Sequence, residues 1–166
     1  MILMENIIIR RSVKEDIPYI NELFIQMVKT VNRRMKKEGV EPYTDLEKGF
    51  EYGYLDSFYI SDDDVIFVAE DNGKVIGFIS VNNHSEYDYI YLDDYCVREE
   101  YRGKGIGSKL MAMAFEFAKD KQINQILTHV ENANKESIEF YKNRGFKLVE
   151  EQGHRLLIRK VINYGK

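Results

Sequence analysis

Hydrophobic residues change period along this chain, and each change marks an element. Asn6 to Arg10 is short and β-branched, which predicts a first strand. Ile17, Ile20, Leu23, Phe24, Met27, Val28 and Val31 then recur at steps of three and four, tracing one buried helix face. Ser12-Val13-Lys14-Glu15 has capping-box spacing ahead of that helix, although Pro18 places its regular part a few residues later. Lys36 to Pro42 breaks the pattern, and a less regular, aromatic-rich helical piece is expected from Thr44 to Phe58.

The period then shortens to that of strands. Val65 to Glu70 and Lys74 to Val81 flank Asp71-Asn72-Gly73, and Asn-Gly between β-rich runs predicts a tight hairpin. A third strand follows from Tyr87 to Val97. Leu110, Met113, Ala114 and Phe117 return to helical spacing within Ser108 to Lys121. Ile123 to Val130 reads as a strand, and Lys135 to Arg144 as a helix closed by Gly145. Strands around Phe146 to Glu150 and Arg155 to Ile162 complete the pattern. The order β-α-α-β-β-β-α-β-α-β-β describes an α/β chain (an α+β mixed sheet) covered by helices.

Composition narrows the partners. The 166 residues hold no repeat, low-complexity tract or linker, so residues 1–166 read as a single domain. Apolar residues make up 44% and charged ones 31%, the balance of a soluble globular protein. A net charge of -4 argues against a general nucleic-acid partner, which would need a basic face. The lone cysteine, Cys96, excludes an internal disulfide framework. The N-terminal apolar run is too short for a signal peptide, and no run approaches the roughly 20 residues of a membrane span. A cytoplasmic location without membrane association is therefore expected. His84, His129 and His154 are too scattered for metal-ligand spacing, so no metal is expected.

The chemistry concentrates where strand gives way to helix, in Val97-Arg98-Glu99-Glu100-Tyr101-Arg102-Gly103-Lys104-Gly105-Ile106-Gly107-Ser108. A helix N-terminus offers unpaired N–H groups and a partial positive charge, and glycines let backbone approach an anion. A solvated turn is the plainer reading of the same residues. Neither the dinucleotide fingerprint nor the P-loop fits: the position of the fingerprint's third glycine holds Ser108, and no Gly-Lys-Ser/Thr string occurs. What does fit is Arg102-x-x-Gly105-x-Gly107. It resembles the acyl-CoA pyrophosphate loop of the GNAT N-acetyltransferase superfamily. A second signature agrees, in Asn134, Ser137, Tyr141 and Gly145-Phe146 at the family's intervals.

That resemblance implies a GNAT-like fold, with the central sheet splayed between the fourth and fifth strands. It implies acetyl-CoA as cosubstrate, held by backbone near Val97, Arg98 and Glu99 and by Arg102, Gly103, Lys104, Gly105, Ile106, Gly107 and Ser108. Asn134 would contact the cofactor or cap its helix, and Tyr141 would protonate the departing thiolate, a core tyrosine being the plainer alternative. Strand alternation places Tyr89, Tyr91, Asp93, Tyr95 and Val97 on one face, which makes Asp93 the candidate base, or a carboxylate that only orients the amine. Cys96 falls on the other face, against an acyl-cysteine route.

Acceptor choice is expected from the variable first helices. Tyr43, Tyr52, Tyr54, Phe58 and Tyr59 lie among Asp45, Glu47, Glu51 and Asp56, which suits a cationic, polyamine-like amine. A protein lysine or N-terminus is the alternative acceptor. A non-catalytic acyl-CoA-binding regulatory module is the alternative function, and a homodimer is the expected assembly.

Overall fold

The computed structural model describes residues 3–162. Its elements follow the expected order: β1 (Ile7–Arg11), α1 (Ile17–Lys37), α2 (Tyr54–Ser57), β2 (Val65–Asp71), β3 (Lys74–His84), β4 (Tyr89–Val97), α3 (Ile106–Asp120), β5 (Gln125–Glu131), α4 (Lys135–Lys142), β6 (Lys147–Gln152) and β7 (Arg155–Val161). The strands form one seven-stranded sheet in the order β1-β2-β3-β4-β5-β7-β6. Only β4 and β5 run parallel; the other pairs are antiparallel. Asn72 and Gly73 turn the β2–β3 hairpin at φ 49° and 84°, as the Asn-Gly pair requires.

Each sheet face buries its own core. Ile79, Val81, Ile90 and Leu92 pack with Ile106, Leu110 and Met111 of the α3 side. Val68, Phe78 and Cys96 pack with Ile20, Leu23 and Phe24 of α1. Burying such a side chain contributes about 1.5–3 kcal/mol, so both helices owe their place to these stripes.

Two expectations change locally. The Ser12–Glu15 capping box does not form. Asp16 instead accepts the Val13 N–H at 2.8 Å and Arg10 at 2.7 and 3.0 Å, while the Ser12 hydroxyl meets Tyr59 at 2.8 Å. The Thr44–Phe58 piece is a 3₁₀ turn at Thr44–Lys48 and the four-residue α2, not a regular helix. Side chains of α1 hold its backbone. Asn32, only 1% exposed, accepts the Tyr43 N–H at 2.8 Å and donates to Glu47 at 2.9 Å. Asn21 accepts the Phe50 N–H at 2.9 Å.

One irregularity positions the functional site. Along β3 and β4, Ile79 opposes Tyr95 but Val81 opposes Leu92, so β4 carries one extra residue at Asp93-Asp94. This β-bulge sits opposite Ser80, whose buried hydroxyl accepts the Asp94 N–H at 2.9 Å. A bulge bends its strand, and here β4 pairs with β5 only from Tyr89–Gln125 to Leu92–Thr128. Both strands run on beyond that point without pairing with each other. The splay between the fourth and fifth strands starts at the bulge.

Replacing Ser80 by Ala removes the acceptor of a sequestered N–H. The expected loss is about 1–3 kcal/mol in urea unfolding. A loss below ~0.5 kcal/mol, the scale of an ordinary surface substitution, would show that other contacts hold the bulge.

Candidate active site

The splay opens a cleft of about 410 Å³. β4 lines it with Tyr95, Cys96 and Val97, the loop into α3 with Arg102, Gly103, Gly105, Ile106, Gly107 and Ser108, and α4 with Asn134, Ser137 and Phe140. Arg98 donates its N–H to Ile76 of β3 at 2.8 Å. Backbone groups alternate sides along an antiparallel strand, so the N–H of Val97 turns to the edge that β5 has left.

The three glycines of the loop serve different ends. Gly103 and Gly105 adopt φ 74° and 80°, conformations that cost other residues roughly 1–2 kcal/mol. Gly105 is the N-cap of α3 and supplies no side-chain cap, so the first-turn N–H groups lack an intrahelical partner until Lys109 bonds Gly105. Gly107 has ordinary helical geometry and is there for space. A Cβ on it would lie 1.9 Å from the Tyr95 hydroxyl. The loop is thus an anion cradle backed by a tyrosine.

α4 closes the other side. Asn134 caps it by accepting the Ser137 N–H at 3.1 Å, and it also lines the cleft. Arg144 donates to the Phe140 carbonyl at 2.9 Å and to the Ser108 hydroxyl, lies 3.5 Å over the Phe140 ring, and faces the cleft beside Arg102. Tyr141 is elsewhere. It is buried edge-on against Phe140 and Phe146 and lies outside the residues lining the cleft. Burial pushes its hydroxyl up to about 12, against a hydrogen bond with Thr128. Thr128 donates its own hydroxyl to the Leu92 carbonyl at 2.8 Å. Burial also raises Tyr95, and the nearby Tyr141 adds to this. Tyr95 and Tyr101 line the cleft, and Tyr101 donates its hydroxyl to Asp71 at 2.6 Å.

The bulge corrects the face assignment on β4. Before it Ile90 and Leu92 point to the α3 side; after it Tyr95 and Val97 do. Tyr95 and Val97 are therefore on the opposite face from Tyr91, and the bulge sets two adjacent carboxylates on the α2 side. Asp93 accepts a hydrogen bond from the Tyr54 hydroxyl. Asp94 is pushed up to about 8 by burial first and by the Asp93 charge second. Burial and the bond to Asp93 hold the Tyr54 proton in place. Cys96 donates weakly to the Leu23 carbonyl at 3.7 Å, and burial raises its thiol to about 11, which removes thiolate chemistry.

Of the residues singled out from sequence, the cleft gathers Val97, Arg102, Gly103, Gly105, Ile106, Gly107, Ser108 and Asn134. Arg98 and Glu99 line an adjoining cavity of about 320 Å³ that shares Val97 and Arg102 with it. Lys104 lies outside both. Sequence reasoning missed Tyr95, Asp94, Arg144 and the α1 wall of Met27, Thr30, Val31 and Arg34. The wall had a signal: Arg34 continues the i, i+3, i+4, i+7 spacing that starts at Met27. Among the described residues no cluster of three or more metal-ligating side chains occurs, and no helix is long and apolar enough to cross a membrane.

Comparison with known proteins agrees with this architecture. The sequence model of the acetyltransferase (GNAT) family matches residues 28–146, and the chain belongs to that family. An uncharacterised N-acetyltransferase of Methanocaldococcus jannaschii is 29% identical over 149 residues, 87% of this chain and 62% of that protein. The thialysine N-epsilon-acetyltransferase of Sus scrofa is 43% identical over 65 residues, 39% of this chain and 38% of that one. The chain thus spans about three fifths of the length of the first relative and two fifths of the second. The PaiA N-acetyltransferase of Thermoplasma acidophilum, solved with coenzyme A, shares the fold at a TM-score of 0.72 and 21% identity, over 93% of this chain and 98% of that one.

A Gly107→Ala substitution should destabilise the protein by about 1–3 kcal/mol, as overpacking does. Tyr95→Phe in the same background should recover part of that loss, because it removes the clashing oxygen. Thermal melts of the single and double variants measure this; strictly additive losses would deny the contact.

Proposed function

We propose that the protein transfers the acetyl group of acetyl-CoA to the primary amine of a small, cationic, polyamine-like molecule, both substrates being bound together. The observation that carries this is the Asp93–Asp94 pair, which the bulge sets on β4 immediately before Tyr95, where the strand begins to line the cleft of about 410 Å³. The residues present fit the cofactor: an uncapped helix N-terminus preceded by two glycines with positive φ, and Arg102 and Arg144 at the same cleft. The backbone of Ile106, Gly107 and Ser108 would hold the pyrophosphate, and the Val97 N–H would polarise the thioester carbonyl. Acetyl-CoA supplies the electrophilic carbonyl and the thiolate leaving group.

The acceptor arrives as an ammonium and must lose a proton before it attacks. Asp94, raised toward working pH by burial and by the Asp93 charge, takes that proton. Asp93 accepts the Tyr54 hydroxyl next to it, facing the incoming cation. Tyr54 in turn stacks on Phe50 at 5.2 Å and meets Phe58 edge-on at 5.5 Å, an acidic and aromatic wall suited to an amine. A relative named for thialysine favours a small molecule over a protein acceptor. Tyr95, at the cleft and near the buried Tyr141, returns a proton to the thiolate in place of the Tyr141 expected from sequence. Per turnover an ammonium and a thioester become an amide, a thiol and one free proton.

A panel of polyamines, amino acids, aminoglycosides and lysine peptides tests the acceptor by thiol release; turnover confined to the peptides would overturn the small-molecule reading. The pH dependence has a fixed sign. Asp94 must be ionised to act, so kcat/KM should fall as pH drops below about 8, and Asp94→Asn should abolish that limb with a ~10²–10⁴-fold lower rate. The raised folded value also means that Asp94 opposes folding increasingly as pH rises from its unfolded range through about 8, so Asp94→Asn should melt higher at alkaline pH. An unchanged profile would remove the pair from catalysis.

Tyr95→Phe should lower kcat by ~10²-fold or more with CoA affinity within about twofold. A larger kcat loss in Tyr141→Phe than in Tyr95→Phe would return the acid to the buried tyrosine.

A further inference from the structure

The cavity of about 320 Å³ that adjoins the cleft has a lopsided charge. Lys29 and Arg33 line it from α1, Arg98 and Arg102 line it from the residues after β4, and Glu99 is the one acid among its lining residues. The chain as a whole carries a net charge of -4, so four cations around one small space run against the trend.

None of the four is spent on a strong structural partner. Lys29 has no hydrogen bond or ion pair among the described residues, and Arg33 bonds only the Thr30 hydroxyl of its own helix, at 3.2 Å. Arg102 donates Nε to the Val97 carbonyl at 3.1 Å, which fixes the guanidinium plane and leaves its terminal nitrogens unpaired among the described residues. The Arg98 side chain is only 11% exposed, yet it reaches no nearer than 3.5 Å to the Val75 carbonyl and 3.7 Å to the exposed Glu22 carboxylate. Most of its five N–H donors are therefore not engaged. Lys29 and Arg33 are also i, i+4 neighbours, a like-charge spacing that destabilises a helix. The helix dipole accounts for basic residues in the last turn of α1 but not for Lys29, about two turns earlier.

We propose that this cavity is a binding site for a phosphate monoester, separate from the anion cradle at the N-terminus of α3. Lys29 and Arg33 form one wall, Arg98 the other, and Arg102 stands between the two sites. A phosphate dianion offers three acceptor oxygens, which suits guanidinium and ammonium donors converging from two elements. Two sources carry this chemistry. One is CoA, whose ribose 3′-phosphate is on the same nucleotide as its pyrophosphate, so a donor seated in the cleft extends it past Arg102. The other is a separate phosphorylated molecule bound beside the donor. The first source deepens the proposed function and rests on acetyl-CoA being the donor; the shared Arg102 favours it.

Calorimetric titration with CoA and with 3′-dephospho-CoA tests the site and needs no acceptor. From the first source, dephospho-CoA should bind roughly tenfold or more weakly, as the loss of charge-assisted bonds implies. A Lys29→Gln/Arg33→Gln variant, changed only at exposed positions of α1, should weaken CoA toward the level of dephospho-CoA, whose own affinity should stay within about twofold. From the second source, both cofactors bind alike, and inorganic phosphate titrated into the CoA-loaded protein should saturate at one equivalent in the wild type and not in the variant. Equal affinities without phosphate binding that depends on Lys29 and Arg33 would overturn the site. So would a preference for CoA that persists undiminished in the variant, because the 3′-phosphate would then lie elsewhere. Should neither cofactor bind, the donor reading fails by itself, and phosphate titration of the free protein decides the cavity by the same criterion.

Discussion

The 2.9 Å bond from the Asp94 N–H to the Ser80 hydroxyl is the constraint on which the site depends. An extra residue in β4 leaves backbone groups without ladder partners, and burial makes that costly unless a side chain supplies one. Ser80 does so from the opposite strand. Three consequences follow from this one accommodation. The far half of β4 swings away from β5 and opens the cleft. The inward face of β4 inverts, which sends Tyr95 to the α3 side. Asp93 and Asp94 become neighbours on the α2 side, close enough for one to raise the other.

The end of the β4–β5 ladder also separates two polar arrangements. On the α3 side the buried Thr128 hydroxyl donates to the Leu92 carbonyl at 2.8 Å. On the α2 side the Tyr91 hydroxyl meets Nδ1 of His129 at 2.6 Å. Successive residues of one strand, Thr128 and His129, thus serve opposite faces of the sheet.

Much of this was legible in the sequence, and the reason differs by region. The strand and helix order followed from periodicity, since each element buries a stripe. The loop could be read because Gly103, Gly105 and Gly107 are demanded by backbone angle or by space, and such demands leave few residue choices. The bulge could not be read. Its cause is Ser80, thirteen residues before Asp93 and an ordinary strand residue in its own right. Alternation therefore grouped Tyr95 and Val97 with Asp93, and overlooked Asp94. The Thr44–Phe58 segment was misread as helix for a related reason: Asn21 and Asn32 bind its backbone from another element, outbidding local propensity.

That contrast extends to specificity. The glycine loop presents main-chain N–H groups and few side chains, so its geometry survives most changes of composition. The acceptor side is built on irregular backbone held by side-chain bonds, with Tyr54 as the link between the α2 segment and Asp93. A shift of that segment moves the wall and the charge together. Tyr43 adds a second tie, meeting His154 at 3.2 Å and Glu131 at 3.3 Å across the sheet. That segment can therefore be moved through Asn21, Asn32 and Tyr43 without touching the glycine loop. Under the proposed function, this separation of backbone from side-chain recognition would let the fold keep its donor and change its amine.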